Sequence, residues 1–412
     1  MNNNVDLNTI KRESRPVTSK KMNIKGTVSN MDVYRIPLDM LYYNDQNDRI
    51  ATWISQYEAE NGDIKQLSVE DRNKKIEDYI IKSDKQRFKE TMNNIRNFSQ
   101  LQPGVVFIDG RVIDGNRRFT CLRRLFEETG DSRFGYFEAV ILDNDITEKE
   151  IKLMELVLQH GEEGKVDYNP IEKLVGIYRD IIQKKLFTVK EYANSISVNE
   201  KDVEKSVQLA ELMEEFLEYI NAPEQFYIAR ALEIDGPLNE VYSIKKRIGS
   251  DEDKWEKVKI TLFDNMLMKA KNGESADITR NIREFGKRVV TDDEMFDKYY
   301  EKHEPLSREL NQKLNNCPGT VDIDYIRDEI RNNDELSEKI NNNMSDIIYE
   351  AKKSSIKRQP IEIVSSLISD ISKIDVVGVS RLSGEDREEF NNELNVLKEK
   401  IKSIEEKINE LI

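Results

Sequence analysis

The chain has 412 residues, room for two or three domains, and its 79 acidic and 64 basic residues leave a net charge of −15. That balance excludes a protein that coats DNA over its whole surface and leaves only local basic faces for nucleic acid. No apolar run reaches the roughly 18 residues of a membrane span and no hydrophobic leader opens the sequence, so a cytoplasmic protein without membrane contact is expected. Two cysteines (Cys121, Cys317) and two histidines (His160, His303) provide no disulfide framework, no metal set and almost no material for a Ser-His-Asp triad.

Residues 1–28 are polar and aperiodic, with Lys11, Arg12, Arg15, Lys20, Lys21 and Lys25 against Asp6 and Glu13. They are expected to be a basic, disordered arm within reach of nucleic acid. Residues 29–145 alternate short β-branched runs with helical patterns. Val33 to Ile36 is a first strand, Asn47-Asp48-Arg49 a loop, and Ile50, Trp53, Ile54 and Tyr57 mark one face of a helix. The charged stretch 62–85 reads as an additional helix and 84–97 as another. Then Val105-Val106-Phe107-Ile108 is a strand, Asp109-Gly110 a two-residue hairpin turn, and Arg111 to Asp114 the returning strand. Gly115-Asn116 breaks it, and 117–128 is a helix with Phe119, Leu122 and Leu125 on its apolar face. Unpaired backbone N–H groups collect at such a helix start and favour an anion, whereas Arg117 and Arg118 in its first turn oppose the helix dipole unless an anion joins them.

Residues 146–222 are helical. Thr147 and Glu150 form a capping box with Ile146 as its hydrophobic staple. Asn169-Pro170 opens a further helix, and 187–193 followed by 198–212 has helix-turn-helix spacing. The second helix would offer Asn199, Glu200, Lys201, Glu204, Lys205 and Gln208 to a DNA groove, a nearly neutral set that predicts weak reading. Residues 223–300 continue helical, with Arg280, Arg283, Lys287 and Arg288 as a basic patch around Ile282 and Phe285. Residues 301–412 are acidic; 354–360 reads as a linker and 361–374 as an amphipathic helix. Phe390, Leu394, Leu397, Ile401, Ile404, Ile408 and Leu411 step by alternating fours and threes, a coiled-coil seam that either pairs with a second copy, the favoured reading, giving a homodimer, or folds back on the preceding helix.

Several of these segments resemble one family. Ile113 to Leu125, IDGNRRFTCLRRL, is similar to the Gly-Glu-Arg-Arg box of ParB-like (partition protein) domains, a fold shared with sulfiredoxin. Ile36-Pro37 with Leu41, the Arg49 loop, Gln100-Leu101-Gln102-Pro103 and Asn169-Pro170-Ile171-Glu172 follow the family's order, over roughly residues 30 to 220. The resemblance implies an α+β N-terminal nucleotide-binding domain, then an all-α helix-turn-helix and helical region with a C-terminal coiled coil. It also implies CTP or another nucleoside triphosphate with Mg²⁺, held by Gly115, Asn116, Arg117, Arg118 and Arg49. DNA would be bound by Asn199, Lys201, Lys205, Gln208, Arg280 and Arg283, in partition or regulation on a plasmid, phage or mobile element. This sequence departs from the family at two places. Asn116 stands where partition proteins carry the Glu tied to hydrolysis, and Glu155-Leu-Val-Leu-Gln-His160 replaces a later Glu-Asn-x-x-Arg box, so slow or absent turnover is expected. The same Asn116 replaces sulfiredoxin's nucleophilic Cys, and Cys121 reads as a small buried residue. Asp-Gly-Asn-Arg-Arg also resembles the Asp-Gly-Gln-Gln-Arg box of ParB-fold restriction nucleases, in which Asp114, with Asn116, would be the catalytic candidate. A nuclease or nucleoside triphosphatase of a defence system, and an assembly component that has lost both activities, are the competing readings.

Overall fold

The computed structural model describes residues 7–24, 27–143, 146–160, 169–268 and 275–411. Asp6, Lys25 and the stretch 161–168 before Asn169 lie outside the described residues. Residues 1–348 form one compact unit and 349–412 a second.

The first unit is built on a six-stranded mixed sheet. Its strands are β1 (Thr18–Ile24), β2 (Thr27–Pro37), β3 (Tyr42–Tyr43), β4 (Gly104–Phe107), β5 (Arg111–Asp114) and β6 (Tyr136–Leu142), in the order β1-β2-β6-β4-β5-β3. β4 lies parallel to β6 and antiparallel to β5. Side chains alternate between the faces with the period of two that a strand imposes. Val106, Val112, Phe137, Ala139 and Ile141 bury on one face, and Val105, Ile113, Val140 and Leu142 on the other. The first face is covered by α2 (Ala51–Asn61), α3 (Val69–Ser83), α4 (Lys85–Phe98) and α5 (Asn116–Thr129), whose Ile54, Ile76, Phe88 and Leu122 enter its core. The second is covered by α6 (Glu148–His160) through Met154.

Two expectations are corrected here. Residues 8–13 are helical (α1, Asn8–Glu13) and Thr18–Ile24 is strand β1, paired along β2 from Thr18↔Val33 to Ile24↔Thr27, so the described part of the arm is ordered. Leu7 is fully buried and its N–H donates to Ile108 O at 3.1 Å. An edge strand is held by its backbone ladder and needs few apolar side chains, so Met22 suffices where composition suggests disorder. The hairpin between β4 and β5 is also longer than two residues: Gly110 N–H donates to Phe107 O at 2.9 Å, with Gly110 at φ +93°.

Helices complete the unit: α7 (Pro170–Ile177), running into a π-helical turn (Tyr178–Gln183), α8 (Val189–Ile196), α9 (Glu200–Tyr219), α10 (Phe226–Ala231), α11 (Asp235–Ile248), α12 (Glu252–Leu267), α13 (Ser275–Arg288), α14 (Asp293–Asn315) and α15 (Ile323–Tyr325). Local signals start many of them. Thr147 and Thr188 each exchange hydrogen bonds with a Glu three residues on, and Asn169 and Asn199 cap α7 and α9. Ser197, left-handed at φ +56°, ends α8 and begins the turn into α9. The stretch 354–360 is not a linker: it lies within α16 (Asp334–Ser372), which continues through Pro360. A single proline removes one hydrogen bond, and the helix-forming residues on both sides outweigh it. In the second unit, α17 (Val376–Val379) precedes α18 (Gly384–Leu411), whose Ile401, Ile404 and Ile408 are 45–58 % exposed.

Candidate functional site

Where β5 ends and α5 begins, Gly115 adopts φ +95° and ψ 20°, and no side chain caps the helix. A Cβ at this position would sit strained and 3.0 Å from both Arg118 Nη2 and Phe137 Cζ, so the position favours glycine. The first turn's N–H groups therefore open onto a cleft of about 460 Å³. The turn 47–50 contributes Asn47, Arg49 and Ile50; α3 contributes Ile80 and Ser83; α4 contributes Arg87, Thr91 and Asn94; and Asp114 to Arg118 close the far wall. Among the described residues, four arginines and a single carboxylate line it.

The two arginines of the helix start are partly answered from within. Arg117 Nη2 lies 3.7 Å from Asp84 Oδ2, the same carboxylate that caps α4 through Arg87 N–H. Arg118 reaches Asp114 Oδ2 at 3.1 Å and Gln102 Oε1 at 3.0 Å, and Asp114 is also 3.6 Å from Lys20 of β1. These pairs leave polar capacity unused. Asn116 Oδ1 and the Nε atoms of Arg117 and Arg118 are buried without a hydrogen-bond partner. Burial, and next the charge of Arg49, lower the Arg117 pKa. Such a site stabilises a polyanion by charge-assisted hydrogen bonds and by the helix N-terminus.

Its acid–base equipment is slight. Asp114, the one lining carboxylate, is tied to Arg118 and Lys20. Cys121 is buried behind the cleft, its thiol pushed up to about 12 by burial, which leaves it protonated and unreactive. The Asn116 carbonyl accepts from Thr120 Oγ1 at 2.9 Å.

The structure thus brings Arg49, Asp114, Gly115, Asn116, Arg117 and Arg118 into one cleft. It adds Arg87, Thr91 and Asn94, spaced four and three apart on α4 and facing the cleft together. That spacing was available in the sequence, but nothing local says which face of α4 meets a ligand. Glu155, from the region of the family's second box, is not in this cleft: its Oε1 accepts from Asn44 Nδ2 at 2.7 Å in a separate cavity.

The DNA candidates lie elsewhere in the unit. Lys201 and Gln208 are exposed on α9, and the Lys205 ammonium sits 5.7 Å over the Tyr242 ring of α11. Asn199 is exposed but spends its side-chain oxygen on capping α9 through Lys201 N–H at 3.0 Å. Arg283 of α13 pairs with Glu240 of α11 at 2.7 Å, while Arg280 and Lys287 are exposed on α13 and Arg288 pairs with Glu284. Because α11 packs against both α9 and α13, two patches 80 residues apart in the chain have a common neighbour.

No protein-family model matches the sequence, and none of the curated proteins does. Among solved structures, the chain is similar to the C-terminally truncated chromosome-partitioning protein ParB from Caulobacter crescentus complexed to the centromeric parS site. Identity is 12 %, the TM-score 0.31, and the match covers 61 % of this chain and 98 % of that one. The same truncated protein complexed with CTP-gamma-S matches at 14 % identity and a TM-score of 0.20, over 50 % of this chain and 98 % of that one. Superposition at these values is loose, and what the ParB chains bind is not carried across by it.

Proposed function

We propose that the chain is a nucleotide-responsive, DNA-binding protein of the ParB-like type, acting in partition or regulation. The observation that carries the reading is the uncapped, glycine-started helix α5, with four arginines around it in a protein of net charge −15. A nucleoside triphosphate, CTP first among them, would place its phosphates against the N–H groups after Gly115 and against Arg117, Arg118 and Arg49. Mg²⁺ would arrive with the nucleotide; Asn116 Oδ1 is the buried oxygen left to meet it, since Asp114 is engaged by two cations. A carboxylate able to activate water is missing at Asn116, so turnover is slow or absent. Asp114, held in ion pairs, is poorly placed as a nuclease residue, which disfavours that alternative.

DNA would be met by Lys201, Lys205 and Gln208 on α9 and by Arg280, Arg283 and Lys287 on α13, and a second copy of the chain by the exposed seam of α18. Calorimetry with CTP and the other nucleoside triphosphates, with and without DNA, tests the nucleotide claim. Saturable binding that Arg117→Ala weakens is expected, and absence of heat for every nucleotide removes it. Phosphate release with Mg²⁺ should show no ready multiple turnover. Sedimentation of the full chain against a truncation after Ser383 should show a dimer and a monomer respectively; a monomer in both ends the dimer claim.

A further inference from the structure

The turn 47–50 serves two cavities. Asn47, Arg49 and Ile50 line the arginine cleft, whereas Asp48 lines a second cavity of about 580 Å³. On this second cavity stands a buried ion cluster. Lys152 Nζ of α6 donates to Asp48 Oδ2 at 2.7 Å and lies 3.8 Å from Glu155 Oε2 and 3.5 Å from Asp180 Oδ2. The carboxylate side chains are only 4–7 % exposed and that of the lysine 12 %. Three carboxylates therefore share one ammonium where water is scarce, an arrangement that is costly unless further positive charge or protons compensate it.

Two oxygens show the deficit directly. Asp48 Oδ1 is buried with no hydrogen-bond partner, and Asp180 Oδ2 makes no hydrogen bond despite its approach to Lys152. Lys65, Arg111, Arg179 and Lys184 also line the cavity, but none of them is hydrogen-bonded to Asp48 Oδ1 or Asp180 Oδ2. Lys184 donates to Glu148 and to Gln46, and the Arg111 guanidinium lies 5.5 Å over the Phe107 ring. Asp180 belongs to the π-helical turn after α7, a local distortion frequent at functional sites.

The walls indicate the ligand. Ile54, Ile64, Phe107, Ile146, Ile151 and Leu186 line the cavity beside the acids. A hydrated metal ion asks for oxygen on all sides, and among the described residues no group of three or more His, Cys, Asp or Glu is arranged to hold one. An ammonium on a hydrocarbon stem satisfies both the acids and the apolar walls, and the volume falls in the range of small-molecule sites. We propose that this cavity binds an organic cation, one or two ammonium groups on a hydrocarbon chain, with its charged end against Asp48 and Asp180. Burial pushes the Glu155 carboxyl up to about 7 and raises that of Asp180 as well, as expected of a cluster short of positive charge.

Titration calorimetry of the full chain with butylamine and putrescine at pH 7.5, with Mg²⁺ as the inorganic control, tests this. One saturable site is expected, at least tenfold weaker in Asp180→Asn and in Asp48→Asn, and not displaced by equimolar Mg²⁺. Thermal melting verifies that each variant folds, and Glu155→Gln replaces one that does not. No saturable heat, several weak sites indifferent to these substitutions, or displacement by equimolar Mg²⁺ would each overturn the proposal.

Discussion

The cleft at Gly115 and the cavity at Asp180 share one short turn, yet one gathers four arginines and the other a buried trio of carboxylates around Lys152. They deal with excess charge differently. In the cleft, Arg117 and Arg118 keep about a fifth of their side chains in solvent, and guanidinium groups do not lose their protons. Positive charge there persists at every physiological pH and is best neutralised by an anion. In the cavity the acids are almost wholly buried and can take up protons, so the charge deficit becomes a pH dependence. Consecutive residues, Asp48 and Arg49, thus belong to sites of opposite sign and opposite response.

The largest effect that would break this contrast concerns the cleft. Arg117→Ala should weaken nucleotide binding by about 100-fold, the upper range for one charge-assisted hydrogen bond in a part-buried site, and Arg118→Ala somewhat less because Arg118 is already engaged by Asp114 and Gln102. Equal calorimetric affinities for wild type and both variants would mean that the arginines serve only their carboxylate partners.

The cavity should show itself next, in stability against pH. Burial raises the Glu155 carboxyl of the cavity to about 7 and raises Asp180 too; outside the cavity, burial also raises Glu172, beside Arg230, and Glu214 to about 7. The folded chain then holds protons that the unfolded chain releases near pH 4, so the stabilisation is full below about pH 4 and is lost as pH rises through about 7. Lys152, Arg111 and Lys184 oppose this loss without cancelling it: burial disfavours the Lys152 ammonium, but Asp48, Glu155 and Asp180 hold its pKa above the ordinary value. Thermal melts should show a lower Tm at pH 8 than at pH 6 by a few degrees, with a flatter profile in Asp180→Asn. A profile that rises over this interval would show that the cluster is adequately neutralised as it stands.

The smallest effect sharpens the comparison by asking whether exposed positive charge outside the cleft is also used. Lys201→Glu and Lys205→Glu should each weaken DNA binding several-fold and each lower the slope of log affinity against log salt by about one, if each lysine meets one phosphate. Unchanged slopes in filter binding across 50–200 mM salt, a range in which phosphate contacts register strongly, would remove α9 from the DNA surface and leave the α13 patch and the cleft as the anion sites.

Much of the local structure was legible in the sequence because its causes are local. Thr147 with Glu150, Thr188 with Glu191, and Asn169 before Pro170 announce helix starts within four residues, and Gly115 announces the turn that opens the cleft. The family's boxes then suggested Arg49 as a companion of Arg117. Other features depend on chain segments far apart. Whether Thr18–Ile24 is an arm or a strand is decided by the backbone of β2 and by the face that receives Met22. Arg87, Thr91 and Asn94 become cleft residues only because α4 packs against α5. Lys152 meets Asp48 across 104 residues of chain, and no spacing rule reaches that far. Hydrogen-bonding and steric preferences over a few residues therefore determined the elements, whereas the charge of each cavity was decided by which distant side chains the packed sheet and helices bring within a few ångströms.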